Sequence, residues 1–246
     1  MRTAFLKPTL PLALTLVLTL ALTLAFVTAA TLLQVFAAGD LAAVLGRLDA
    51  SSKTFKSAQA DILWDHVQTK PIEDKDTQAG TILVARDGSE MKLALHIKTD
   101  NGSPALKDMV YAGGTGKMYT PSLNQVEVFK VGDNKAALDA FLTLGFGGSG
   151  QDLNKNWNVT QVGAEPVNGT STVKLQLIPR DPNVAKSTPK VFLWIDMKQG
   201  VAVKQQRFDS DGSYLMFTYS NIHLNAKVPS GAFDIKTAPG TRTVNH

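Results

Sequence analysis

Ala79-Gly80-Thr81-Ile82-Leu83-Val84-Ala85-Arg86-Asp87-Gly88-Ser89-Glu90-Met91-Lys92-Leu93-Ala94-Leu95-His96-Ile97 is the stretch that decides the fold. Two alternating runs meet at Arg86-Asp87-Gly88-Ser89, a turn-forming cluster, so the stretch reads as a β-hairpin. Side chains alternate along a strand. Met91, Leu93, Leu95 and Ile97 therefore share one face, and Glu90, Lys92, Ala94 and His96 the other. In the first run Ile82, Val84 and Arg86 share a face. A guanidinium beside two apolar neighbours needs hydrogen-bond acceptors or an opening to water. A turn arginine that swings into solvent at Asp87-Gly88 is the plain alternative.

The same half-buried pattern repeats on both sides. Upstream, Ser57–Thr69 sets Ala60, Ile62 and Trp64 against Asp61 and Asp65. Downstream, Asp108–Tyr111 and Lys117–Thr120 flank a glycine-rich turn, and Gln125–Lys130 opposes Val126 and Val128 to Gln125 and Glu127. Trp157–Gly163, Thr172–Pro179, Lys190–Asp196, Ala202–Phe208 and Ser213–Leu224 read as further strands. A last short strand is expected around Phe233 and Ile235, between Pro229 and Pro239. Lys70–Gln78 and Thr99–Lys107 read as polar loops. The expected class is mainly β with a few helices, a meandering antiparallel sheet.

Two helices are expected. Asp40 caps the first, whose Leu41, Val44, Leu45 and Leu48 lie on one helical face. The second, Lys135–Leu144, is apolar nearly all round, so it must be buried or face a second apolar body. Gly145–Gly150 then reads as a flexible segment carrying Phe146.

At the amino end Arg2 and Lys7 precede an apolar run, Leu10–Phe26. This predicts a signal peptide over 1–38, cleaved near 29 or 38, and a single domain over 39–246. An uncleaved anchor is the alternative, since the apolar stretch to Ala38 is long enough for a bilayer core of about 30 Å.

Composition narrows the function. There is no cysteine, which excludes disulfides, thiol chemistry and thiolate metal sites. The net charge of +4 is scattered without a polybasic run, so no nucleic acid partner is expected. His66, His96, His223 and His246 have no metal-binding spacing, and no acid, base or nucleophile cluster is visible. No cofactor, metal or catalytic activity is expected. What stands out is apolar surface: one greasy sheet face with few helices to pave it suggests a cavity for an apolar ligand. Its expected lining is Ile62 and Trp64, then Ile82, Val84, Met91, Leu93, Leu95 and Ile97 of the hairpin, then Tyr111, Met118, Val126 and Val128. A filled sheet-on-helix core is the alternative.

From about Asp40 onward the order of motifs resembles the periplasmic outer-membrane lipoprotein carriers, the LolA family. The pieces are Leu48-Asp49-Ala50-Ser51-Ser52-Lys53-Thr54-Phe55 at the end of the opening helix, Ala58-Gln59-Ala60-Asp61, Gly80–Arg86, and Gly116-Lys117-Met118-Tyr119-Thr120-Pro121. Leu177-Ile178-Pro179 and Phe233-Asp234-Ile235 complete them. No single piece is specific; their order is. The resemblance implies an open, incomplete antiparallel β-barrel with a helical lid, holding the acyl chains of a lipoprotein. It implies a monomer that shuttles cargo from an inner-membrane donor complex to an outer-membrane acceptor. In that family a strand-end arginine helps hold the lid closed, and Arg86 falls at that position. Leu138, Phe141, Leu142 and Phe146 would belong to the lid. Asp87-Gly88 follows Arg86 where the family often has proline, and the next strand lacks the family's aromatics. Relatives of the same fold carry other envelope lipids, so such a lipid is the alternative cargo.

Overall fold

A computed structural model describes residues 40–130, 132 and 143–246. The signal-peptide expectation and most of the second helix, including Leu138, Phe141 and Leu142, fall outside the described residues.

The deciding hairpin forms as read. β2 (Asp74–Asp87) and β3 (Glu90–Asp100) join through Gly88-Ser89, with Ile82 opposite Leu95, Val84 opposite Leu93 and Arg86 opposite Met91. On one side lies β1 (Ser57–Gln68). On the other follow β4 (Ser103–Ala112), β5 (Thr115–Thr120) and, after a single 3-10 turn, β6 (Gln125–Lys130). Later in the chain come β7 (Trp157–Ala164), β8 (Thr172–Pro179), β9 (Lys190–Asp196), β10 (Val201–Phe208), β11 (Tyr214–Leu224) and β12 (Arg242–Asn245). All twelve strands make one sheet, ordered β12-β6-β5-β4-β3-β2-β1-β11-β10-β9-β8-β7. Its pairs are antiparallel except β12 with β6. Among the described residues the two edge strands do not pair with each other, so the barrel stays open.

Among the described residues three helices accompany the sheet: α1 (Leu41–Thr54), α2 (Gly150–Asn156) and α3 (Pro182–Ser187), and residues 143–145 are also helical. Asp40 accepts the Ala42 N–H on its carboxylate, as its capping role requires. Val44, Leu45 and Leu48 of α1 pack with Leu144 and with Leu153 of α2 over Leu175, Leu177, Val191, Leu193 and Ile195. The covered face is the inner face.

Several expectations need correction. The strands extend through most of both polar loops: Asp74–Gln78 belongs to β2, and only Asn101-Gly102 separates β3 from β4. Both turn residues have positive φ, +47° and +78°, as a tight hairpin turn demands. Phe233 and Ile235 form no strand. With Val228 and Ala232 they pack over Leu83, Ala94 and Val110 on the outer face, and the final strand lies further on, at β12. Pro229, Pro239 and the turn at Gly231 (φ +71°) keep that segment irregular while its apolar residues still find burial. Gly145–Gly150 is no flexible linker. A Cβ on Gly147, whose φ is +78°, would stand 2.5 Å from the Phe55 ring. One on Gly150 would stand 2.4 Å from the Leu45 carbonyl oxygen. The glycines permit close packing against α1.

Candidate ligand-binding face

The inner face of β11, β1, β2, β3 and β4 is continuous and apolar. Ile62, Ile82, Val84, Met91, Leu95, Ile97 and Tyr111 are buried together with Phe55, Phe146, Phe217 and Tyr219. Trp64 and Leu93 pack against them, partly buried. Met118 lies on the same face, because it pairs with Met109, which pairs with Leu95. Val126 and Val128 do not. Val128 pairs with Lys117, Lys117 with Val110, and Val110 with Ala94, a row on the outer face. Val126 pairs with Tyr119, whose hydroxyl accepts the Ala238 N–H of the C-terminal segment. Alternation correctly put both valines on one side of β6, but the outer side here is also covered, so apolar character alone did not identify the inner one.

Arg86 stands at the end of the inner row. Its Nη1 donates to the Ser52 carbonyl at 2.9 Å and its Nη2 to the Gly147 carbonyl at 2.6 Å. Ser52 Oγ donates to the same Gly147 carbonyl at 2.8 Å. The guanidinium carbon lies 5.5 Å from the Phe55 ring centre, a cation–π distance. One side chain of the sheet thus ties the end of α1 to the loop after residue 145. Ser52 lies in the last turn of α1, where its carbonyl takes only a long 3.4 Å backbone bond from the Phe55 cap N–H and a cation is favoured. Ser52, Phe55 and Gly147 were not read as site residues. The residue pattern of that helix end offered one signal, a polar Ser52 three positions from Phe55 at a cap.

The loop carries Phe146 onto the inner face. It is fully buried and meets Tyr219 edge-on at 4.9 Å. The Tyr219 hydroxyl accepts from Gln205 Nε2 at 2.9 Å, and burial pushes its pKa upward, so the phenol stays neutral. Among the inner polar atoms buried without a hydrogen-bond partner in the described residues are Trp64 Nε1 and Gln205 Oε1. Both residues pair with Phe217, so they share one row. An unpaired buried donor costs about 1–3 kcal/mol. An acceptor supplied by a ligand would relieve that cost at Trp64.

A cavity of about 760 Å³ opens elsewhere, on the outer face beneath residues 229–236. Its lining is mixed, including Asp61, Thr81, His96, Asp108 and His223. His96 Nδ1 lies 2.7 Å from Asp108 Oδ1 and Asp61 accepts from Asn221 at 2.6 Å, so these groups largely satisfy one another. Among the described residues no group of three or more His, Asp or Glu is arranged to hold a metal. No described helix is long and apolar enough to cross a membrane.

No protein-family model matches the chain, and no curated protein matches it. Solved structures do. A conserved protein of Thermus thermophilus matches with a TM-score of 0.52 at 9% identity, over 82% of this chain and 97% of that one. MucB matches at 0.49 and 16% identity over 81% of this chain; the match spans 64% of MucB, less than two thirds of its length. A LolA superfamily protein from Nitrosomonas europaea matches at 0.36 and 14% identity, over 78% and 96%. These are proteins that the chain is similar to; its own open twelve-stranded sheet with accompanying helices is the mainly β, incomplete barrel that the sequence suggested.

Proposed function

We propose that this protein is an envelope carrier that holds acyl chains against the inner face of its open barrel. The observation that carries this reading is the Arg86 fork, which fastens the helix end and the Gly147 loop at the margin of an otherwise apolar face. Each buried methylene contributes about 0.8 kcal/mol, so a chain of ordinary length binds readily and release is the harder step. A carrier then needs a cover held by few, breakable contacts, and two hydrogen bonds from one side chain fit that need. The unpaired Trp64 N–H supports an ester or amide carbonyl at the head of the cargo. In this reading no bond is made or broken and no cofactor takes part. The mature protein works in the periplasm as a monomer after its signal peptide is removed. Its cargo is an acylated lipoprotein, taken from an inner-membrane donor and passed to an outer-membrane acceptor, or another envelope lipid.

The test is a mass spectrum of the organic extract of protein purified from its native envelope, paired with a fluorescent fatty acid titration of the delipidated protein. A stoichiometric acylated species and saturable binding are expected. Neither an acyl species nor binding would overturn the proposal. The second reading is an envelope module with a filled core. It is favoured by the low exposure of the inner residues, 1% at Val84 and 5% at Leu95, and it requires that nothing binds.

A further inference from the structure

The outer face of β8, β9 and β10 carries a feature that acyl-chain binding does not use. Four aromatic rings lie in a row: Trp194 to Phe192 at 6.1 Å, Phe192 to Phe208 at 5.9 Å, and Phe208 to Tyr214 at 5.5 Å. Three ammonium groups sit over them. Lys204 Nζ is 4.5 Å and Lys174 Nζ 4.6 Å from the Trp194 ring, and Lys190 Nζ is 4.3 Å from Phe208. The register explains the arrangement, since Lys174 and Lys204 flank Trp194 across the sheet and Lys190 pairs with Phe208. Two strand spacings put Lys174 and Lys204 about 10 Å apart. Glu165 pairs with Lys174 at 2.9 Å. Among the described residues no carboxylate lies within ion-pair distance of Lys190 or Lys204. With three ammonium groups against the one carboxylate of Glu165, the platform keeps net positive charge, held over aromatic rings.

We propose that this face docks the protein on a bilayer surface bearing anionic headgroups. Lysine ammonium groups beside partly buried Phe208 and Tyr214 have the chemistry that settles at headgroup depth, where a cation and an amphipathic ring meet anionic groups. Anionic headgroups attract each lysine at the surface by about fivefold in affinity. The platform lies on the face opposite Arg86 and the inner row, so docking leaves the cover free to move.

The experiment is co-sedimentation of the purified, cargo-free chain with vesicles of phosphatidylcholine, alone or mixed with phosphatidylglycerol, across a salt series. Binding is expected to the mixed vesicles only, weakening as salt rises. The Lys190→Gln/Lys204→Gln variant should bind roughly 25-fold more weakly. Lys190→Arg/Lys204→Arg should bind like the parent. Lys117→Gln/Lys155→Gln, with the same net charge on exposed sites elsewhere, should lose little. Equal binding by the first variant, equal loss in the last, or equal binding to both vesicle types would overturn the proposal. So would failure on vesicles with capture on immobilised polyglutamate, which would assign the face to an acidic protein. No acyl-chain readout enters, so failure here leaves the carrier reading standing.

Discussion

Replacing Arg86 with leucine removes the fork but keeps an apolar stem beside Ile82 and Val84. Hydrogen bonds from a charged donor contribute about 1.5–3 kcal/mol each when intact. Arg86 is only half-buried, and both freed carbonyls can take up water, so the lower end applies. The closed form should lose about 2–3 kcal/mol relative to the open one, which is roughly 30- to 150-fold in the closed-to-open ratio. Hydrogen exchange read by mass spectrometry reports this directly. Peptides covering residues 143–150 and the end of α1 should exchange faster by that factor, while β8 and β9 keep their protection. Arg86→Lys should recover part of the effect, because an ammonium can reach one carbonyl but cannot span both as a planar fork. If the carrier reading holds, loading of cargo persists in Arg86→Leu and transfer to an acceptor falls. Unchanged exchange over 143–150 would show that the fork holds nothing. Loss of protection across the whole sheet would show that Arg86 supports the core instead of the cover.

Other consequences follow from separate contacts. Gly150→Ala pushes a methyl toward the Leu45 carbonyl and should cost about 1–3 kcal/mol, seen as several degrees of melting temperature; an unchanged melting temperature would refute the close approach. The Lys174 ammonium, bonded to the Glu165 carboxylate, holds it below its ordinary value of 4.5, with smaller help from Trp194 and from the field of Lys204, against a partial opposing effect of burial. The charged form is therefore favoured in the fold, so its stabilisation is present above the ordinary value and is lost as pH falls through the lowered one. An NMR titration should find the midpoint below 4.5, moving up in Lys174→Met. With no native cysteine, single cysteines at Met118 and Val128 can be labelled cleanly. Bound fatty acid should slow maleimide labelling at Met118→Cys and leave Val128→Cys unchanged, and equal protection would contradict the assignment of faces.

The hairpin shows how much could be read in advance. Alternation in Ile82–Arg86 and Met91–Ile97, with a turn cluster between them, fixed both strands and the inner identity of their residues. The need of Arg86 for acceptors followed from its neighbours, but its acceptors, Ser52 and Gly147, are 34 and 61 residues away and are brought together only by packing. Val126 and Val128 mark the limit of alternation. A period of two separates two faces without naming them, and the decision rests on the register set by the turns before and after β5. The glycines after Gly145 misled for a related reason, since missing side chains serve close packing as well as freedom. α2 was missed because seven residues are too few to show a helical period; the available sign was Ser149, which caps it by accepting the Asp152 N–H.

The central claim is that acyl chains lie against the inner face, and the three tryptophans allow it to be measured. Trp64 faces that side, Trp157 is buried in the cluster under α1 and α2, and Trp194 lies on the outer face. In the Trp157→Phe/Trp194→Phe protein, fluorescence reports Trp64 alone, and a brominated fatty acid quenches an indole only on close approach. The account predicts saturable quenching of Trp64, relieved by unlabelled fatty acid. An emission that stays constant through the titration, while a protein retaining only Trp194 is quenched, would contradict it.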